Sequence, residues 1–253
     1  MRVRGFCCGW LESDLSLFIA GESGAMRVPV PAYLIEHAGQ VVVFDTGMHP
    51  ALRTDPAARI GALADAYACD QPAGTTLDER LTELDMGPGD VDAIVASHLH
   101  FDHAGGCALL PDARLVVQRA EWTEAIAVDD GVVYNAVDFD CGHDRQLLDG
   151  EHDLFGDGRA VLLPTPGHTI GHQSLRLRLD DGSETILCGD CCYLRRALDE
   201  LALPPFGHDR DVQRATLRSL RVLERAGARL IFGHDPAQWP SGAHDDRVVD
   251  LAS

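Results

Sequence analysis

Nowhere in the chain do about 18 apolar residues run together, so no segment reads as a membrane-spanning helix. The amino-terminal stretch MRVRGFCCGWLESDLSLF carries two arginines but no continuous apolar core before Glu12, and it does not read as a secretory signal. Basic residues are scarce: 21 Lys and Arg stand against 40 Asp and Glu, a formal net charge of −19. A basic patch for phosphates is therefore not expected, which argues against nucleic acid as a partner. The acids are spread along the chain instead of gathered in a tail, the pattern of a solvated surface. Cysteine is sparse as well. There are eight in 253 residues, and Cys7–Cys8 and Cys191–Cys192 are sequence neighbours, which rarely bridge. That spacing excludes a disulfide scaffold and fits reduced thiols in a cytoplasm. There is no Walker A loop and no dinucleotide fingerprint, and GESG at 21–24 lacks the spacing of a Gly-x-Ser-x-Gly nucleophile elbow.

A hydrophobic content of 45% suffices for a sizeable core, and no linker, low-complexity tract or short repeat divides it. VPAYLIEHAGQVVVFDTG reads as two strands joined at Ala38-Gly39, the second ending at Asp45. Thr76 to Met86 reads as a helix: Thr76 and Glu79 have capping-box spacing, and Leu77, Leu81 and Leu84 share a face. Strands are expected at 91–97 and 114–118, and a helix from Glu121. In the second half 160–168, 172–179, 184–190 and 229–235 read as strands. Before the last of these, Asp209 to Ala226 sets Val212, Thr216, Leu220 and Leu223 at helical spacing, and Gly227 stops it. Strands this apolar suit sheets covered by helices on their outer faces, with reactive residues on loops beyond the strand ends.

The reactive residues are concentrated in SHLHFDHAGG at 97–106, which follows the strand at 91–97. Side chains alternate in an extended segment, so His98 and His100 point the same way. Asp102 follows them, while His103 turns toward a second position. Neutral imidazole and carboxylate suit zinc, and also iron, manganese or cobalt. Four such groups exceed what one catalytic zinc takes, because that site keeps a place open for water. A second ion and further ligands are thus expected. Three candidates close later strands: His168 in TPGHTIGH, Asp190 in LCGDCCY and His234 in FGHDP. An aspartate can bridge two cations, which permits two histidine-rich sites sharing one hydroxide. Asp45 is a candidate to orient a ligand histidine, and His172 to support the ligand loop. His37, His49, His143, His152, His208 and His244 carry no ligand pattern. CGDC at 188–191 satisfies Cys-x-x-Cys, but it follows a strand and has no second pair, which argues against a redox or thiolate site.

Taken in order, VVVFDTG, SHLHFDHAGG, PGHTIGH, CGDCCY and FGHD resemble the metallo-β-lactamase superfamily, whose signature is His-x-His-x-Asp-His. The resemblance covers nearly the whole chain. It implies a single metallo-β-lactamase-like domain over 1–253, of mixed α/β class, folded as a four-layer αββα sandwich. It implies two divalent ions, most readily Zn2+, with His98, His100 and His168 on one, Asp102, His103 and His234 on the other, and Asp190 bridging. Within the superfamily the chain is similar to the N-acyl homoserine lactonases, in which a tyrosine stands three residues after the bridging aspartate and contacts the lactone oxygen. Tyr193 occupies that position. The mechanism so implied is attack of a metal-bridging hydroxide on the ring carbonyl. Tyr193 and one ion polarise that carbonyl, and Asp102 carries the proton to the departing ring oxygen. The partner is then a small lactone, and a homodimer is left open.

Other hydrolases on the same metal site remain as alternatives, since fold alone does not settle function. These are a general lactonase or esterase, a phosphotriesterase, and a glyoxalase II-like thioesterase. The last would need a basic patch for glutathione carboxylates, and the segment after His234 offers only Arg247. A di-iron redox protein is the most remote, because such relatives carry Glu where this chain has His100.

Overall fold

The computed structural model describes residues 1–239 and 249–251, with the side chains of 249 and 250 left out. His244 and Arg247 lie outside the described residues. The first half contains strands β1 (Arg2–Asp14), β2 (Ala25–His37), β3 (Gln40–Phe44), β4 (Ala68–Asp70), β5 (Ala93–Val95) and β6 (Arg114–Gln118). Helices α1 (Pro56–Ile60), α2 (Leu77–Thr82), α3 (Arg119–Val128) and α4 (Ala136–Phe139) lie between and after them. The second half adds β7 (Arg145–Leu148), β8 (His152–Asp153), β9 (Ala160–Pro164), β10 (Gln173–Arg178), β11 (Glu184–Leu187), β12 (Arg229–Ile231) and β13 (Val249–Asp250). Helices α5 (Arg195–Glu200) and α6 (Arg210–Arg225) precede β12.

Two sheets form. One runs β13-β1-β2-β3-β5-β6-β7 with β4 on β1, and the other runs β12-β11-β10-β9-β8. Strict alternation of apolar side chains gives both faces of each sheet something to bury. Along the first sheet Tyr33, Ile35, Val42, Phe44, Val95 and Val116 face Leu162, Leu175, Leu177, Leu187 and Ile231 of the second. Their neighbours Leu34, Val43, Ile94, Leu115 and Val117 point outward, onto Leu77 and Leu81 of α2, Ala125 of α3 and Phe139 of α4. On the far side, Ile186 and Leu230 pack on Ala197, Leu198, Leu217 and Leu220 of α5 and α6. The layers are therefore helix, sheet, sheet, helix, as the resemblance implies.

The elements are shorter than expected where turn chemistry intervenes. The helix expected to Met86 ends at Thr82, with Asp85 left-handed (φ 57°) before Gly87-Pro88. The strand expected through His168 stops at Pro164, and the one expected through Asp235 stops at Ile231, so the ligand-bearing residues lie on loops. On α6 the buried face is Gln213, Thr216, Leu217 and Leu220, whereas Val212 is 39% exposed. Val212 is thus corrected to the solvent side, about one residue's rotation from the apolar stripe. The strands β3, β5 and β6 are parallel, as are β11 and β12, so their carboxyl ends gather at one shared edge.

Immediately after the histidine motif, Gly105 and Gly106 pass so close to the loop at 46–49 that a Cβ would collide with backbone atoms of His49 and Thr46. Gly105→Ala and Gly106→Ala are each expected to destabilise the fold by about 1–3 kcal/mol, as overpacked sites do. Gly89→Ala, with nothing within 4 Å and no left-handed backbone, should fall within about 0.5 kcal/mol of the parent. Urea denaturation midpoints compare the three.

Candidate metal centre

The shared edge collects imidazoles and carboxylates from both sheets. His98, His100, Asp102 and His103 follow β5, His168 follows β9, Asp190 follows β11 and His234 follows β12. Their donor atoms form two groups, His98–His100–His168 and Asp102–His103–Asp190–His234, each with all donor atoms within 4.8 Å of one another. Asp190 touches both. Its Oδ1 lies 3.0 Å from His234 Nε2 and 3.2 Å from His103 Nε2, and its Oδ2 lies 3.5 Å from His168 Nε2 and 3.8 Å from His98 Nε2. All seven residues that sequence spacing singled out are brought together.

Hydrogen bonds behind the rings decide which nitrogen faces the centre. His103 donates from Nδ1 to Asp45 Oδ2 at 2.9 Å, and His234 donates from Nδ1 to the Pro29 carbonyl at 2.8 Å. Asp45 also accepts the Ser97 N–H at 2.6 Å and the Ser97 hydroxyl at 2.8 Å, which leaves the Ser97 oxygen to accept from His98 Nδ1 at 3.0 Å. In all three cases the Nε2 lone pair is turned inward, the tautomer that ligates. Asp45 reaches this position with a left-handed backbone (φ 60°), so it orients its histidine from a strained turn.

The two groups differ electrostatically. Burial pushes the His98 imidazole well below its ordinary range, and pushes those of His100 and His168 down to about 3. These three rings are neutral, yet His168 Nε2 lies 3.2 Å from both His98 Nε2 and His100 Nδ1. In the second group burial is outweighed by the carboxylates, chiefly Asp190, which hold His103 and His234 above the usual histidine range. Burial raises Asp102, while His103 and His234 overcome burial at Asp190 and hold it well below the carboxylate range. His103 Nε2 and Asp190 Oδ1 are buried 3.2 Å apart without the geometry of a hydrogen bond. Converging neutral lone pairs and orphaned polar atoms at one spot fit a pair of cations better than any internal pairing.

Over the donors opens a cavity of about 420 Å³. Its walls are apolar, with Phe18, Leu63, Tyr67, Phe101, Ile170 and Phe206 among them, and His100, Asp102, His168, Asp190 and His234 form its floor. Tyr193 lines it as well, its hydroxyl 3.3 Å from His168 Nδ1. With His168 Nε2 turned to the donors, Nδ1–H donates to the tyrosine oxygen and the phenolic proton faces Asp190 on the cavity floor. Burial, then Asp190, pushes the Tyr193 phenol well above its usual range, so it stays a donor.

The other weighed residues have structural partners. His172 accepts the Cys191 N–H at Nε2 (3.2 Å) and donates from Nδ1 to Thr165 (2.9 Å), bracing the ligand loop. The thiols of Cys188 and Cys191 are free and pushed up by burial, Cys191 to about 12, and neither reads as a thiolate ligand. Glu121 and Tyr134 did not stand out in the sequence. Glu121 is fully buried, accepting the Leu99 N–H, the Tyr134 hydroxyl and the Gly171 N–H. An acid in the first turn of a helix ordinarily reads as a solvated complement to the helix dipole, so no local signal marked it.

Residues 25–234 match the profile of the metallo-β-lactamase superfamily. The N-acyl homoserine lactonase AttM of Rhizobium johnstonii is 35% identical over 229 residues, covering 87% of this chain and 86% of that protein. The N-acyl homoserine lactonase AiiA of Bacillus thuringiensis subsp. kurstaki is 26% identical, covering 85% of each. A solved N-acyl homoserine lactone hydrolase, with N-hexanoyl-L-homoserine at its catalytic metal centre, superposes with a TM-score of 0.86 at 23% identity over 98% of each chain. The dizinc quorum-quenching lactonase AidC superposes at 0.71 and 15% identity, covering 99% of this chain and 94% of that one.

Asp45→Asn keeps a residue that tolerates the left-handed turn but removes a carboxylate that accepts three hydrogen bonds. The metal-free protein is expected to lose about 1.5–3 kcal/mol, the worth of a charge-assisted hydrogen bond. Chemical denaturation in the presence of a chelator measures it.

Proposed function

We propose that this chain, which belongs to the metallo-β-lactamase superfamily, is a metal-dependent hydrolase that opens the ring of N-acyl homoserine lactones. The observation that carries the reading is a seven-residue donor cluster forming the floor of an apolar cavity. The relatives at 35% identity support the lactone as substrate. In this reading His98, His100 and His168 would hold one divalent ion and Asp102, His103 and His234 the second, with Asp190 available to both. The ions, zinc by the preference of imidazole and carboxylate, supply when bound an acidified water and a Lewis-acid pull on the carbonyl.

The chain's own residues do the rest. An amphiphilic lactone suits the cavity, whose apolar walls take an acyl chain while its floor takes the ring. As water oxygen bonds the carbonyl carbon, the Asp102 carboxylate receives the proton. It returns that proton to the ring oxygen as the carbon–oxygen bond breaks, so that a carboxylic acid and a hydroxyl result, and the acid then releases its remaining proton to solvent. The Tyr193 hydroxyl donates to the oxygen that gains charge in the tetrahedral state. Among the described residues no arginine or lysine lines the cavity, which tells against the anionic thioesters of a glyoxalase II-like enzyme. We assign the enzyme to the cytoplasm, a reading supported by its eight free cysteines. No helix among the described residues is long and apolar enough to cross a membrane.

Three outcomes test the proposal. Elemental analysis after metal supplementation should find about two transition-metal ions per chain, and Asp190→Ala should lose both. Across one metal-replete preparation, N-acyl homoserine lactones should be turned over well ahead of glutathione thioesters and β-lactams; the reverse order would overturn the substrate assignment. Tyr193→Phe should keep both ions and lose about tenfold to a hundredfold in lactone kcat/KM, the effect of deleting one oxyanion donor.

A further inference from the structure

Glu121 is a carboxylate buried at 0% exposure, and among the described residues no ion pair involves it. Such a group is costly unless every lone pair is answered. Here three hydrogen bonds answer it, and the Thr169 hydroxyl stands beside them as a further donor. Oε1 accepts the Leu99 N–H and the Tyr134 hydroxyl, each at 3.0 Å, and Oε2 accepts the Gly171 N–H at 3.1 Å.

Each of those donors belongs to a segment that carries or covers one histidine of the same group. Leu99 lies between His98 and His100. Gly171 lies three residues beyond His168, and a Cβ there would collide with the Glu121 backbone, so this loop rests directly on the start of α3. Tyr134 forms an isolated antiparallel bridge with His100 and sets its ring edge-on to that imidazole, centroids 4.9 Å apart. The second group has supports that do not involve Glu121: Asp45 behind His103 (and, through the Ser97 hydroxyl, behind His98 as well), the Pro29 carbonyl behind His234, and Gln213 Nε2 on the Asp190 carbonyl at 3.3 Å.

We propose that Glu121 is a positioning residue for the three-histidine group alone, fixing the separation of His98, His100 and His168 and thereby setting the affinity of that position relative to its neighbour. The inference rests on the reading that these three histidines hold an ion. Only a carboxylate serves, because all three partners are donors and both oxygens must accept. Glutamine in the same place turns an NH2 toward at least one N–H or O–H.

The test compares the parent, Glu121→Gln and Tyr134→Phe, each stripped of metal. Zinc affinities come from titration against a competing chelator, and the occupancy of each position comes from anomalous diffraction of crystals at limiting zinc. Glu121→Gln is expected to weaken the three-histidine position by about tenfold to a hundredfold, the range for residues that orient metal ligands, and to leave the other unchanged. Tyr134→Phe should shift the same position by less, since the carboxylate keeps both backbone donors. Should Glu121→Gln not fold, Tyr134→Phe carries the same comparison. Equal weakening of both positions, with a lower melting temperature of the metal-free protein, would mark a general brace and overturn the proposal. So would unchanged affinities at both. A parent protein that binds fewer than two ions removes the metal reading itself, and this proposal with it, before any substitution is compared.

Discussion

Asp190 sets its two oxygens against histidines from three separate stretches of chain, His103 and His234 on one side, His98 and His168 on the other. Burial of that carboxylate is offset by His103 and His234, which are held above the usual histidine range and come one from each sheet. The packing of sheet on sheet is thus a condition of the site. The interface of Phe44, Val95, Leu175 and Leu187 holds the two strand edges level, and Gln173 fastens them, its N–H to the Ser97 carbonyl at 2.9 Å and its amide to the Ala96 carbonyl at 2.8 Å. A shift of one sheet by a fraction of a residue would draw His168 and Asp190 away from His98 and His103.

The polar cluster and the apolar cavity above it divide the chemistry between them. The inward nitrogens of His103, His98 and His234 are each held by a bond to the rear of the ring, at Asp45, Ser97 and Pro29, so little reorganisation accompanies binding at these positions. This is preorganisation in the electrostatic sense: orientation is paid for by folding, before substrate arrives. Tyr193 belongs to the same scheme, because its hydroxyl is held between His168 and Asp190 at the cavity floor. The two halves of the centre share Asp45, which holds His103 directly and His98 through the Ser97 hydroxyl, whereas Glu121 bonds only to segments that carry or cover the three-histidine group.

Much of the architecture can be read from residue pattern, and the exceptions have identifiable causes. Strands such as Val42–Val43–Phe44 and Leu115–Val116–Val117 are apolar on both faces, so their sandwiching between layers follows from composition. The 13-residue β1 went unread because its pairing with β2 shifts between Cys7 and Trp10, where Gly9 (φ 123°) interrupts the alternation that marks a strand. Val212 was placed on the buried face of α6 by spacing alone, yet Gln213 takes that place because its side chain reaches the carbonyls of Asp190 and Cys191. A polar residue held in the core by a specific bond does not show in a hydrophobic period.

Ligand chemistry is local: it lies in residue type and in spacings such as His98-x-His100, which set two imidazoles on one face of an extended segment. For that reason the sequence by itself determined which donors are offered, in what order, and that they exceed the needs of one ion. Which nitrogen each histidine presents was decided only by the tertiary structure, because it depends on atoms such as Asp45 and Pro29, 58 and 205 residues away along the chain. The same holds for Glu121. Its carboxylate becomes a clasp between two histidine loops only because packing removes it from water and brings Leu99, Tyr134 and Gly171 to it, and no property of a glutamate near a helix start encodes that meeting.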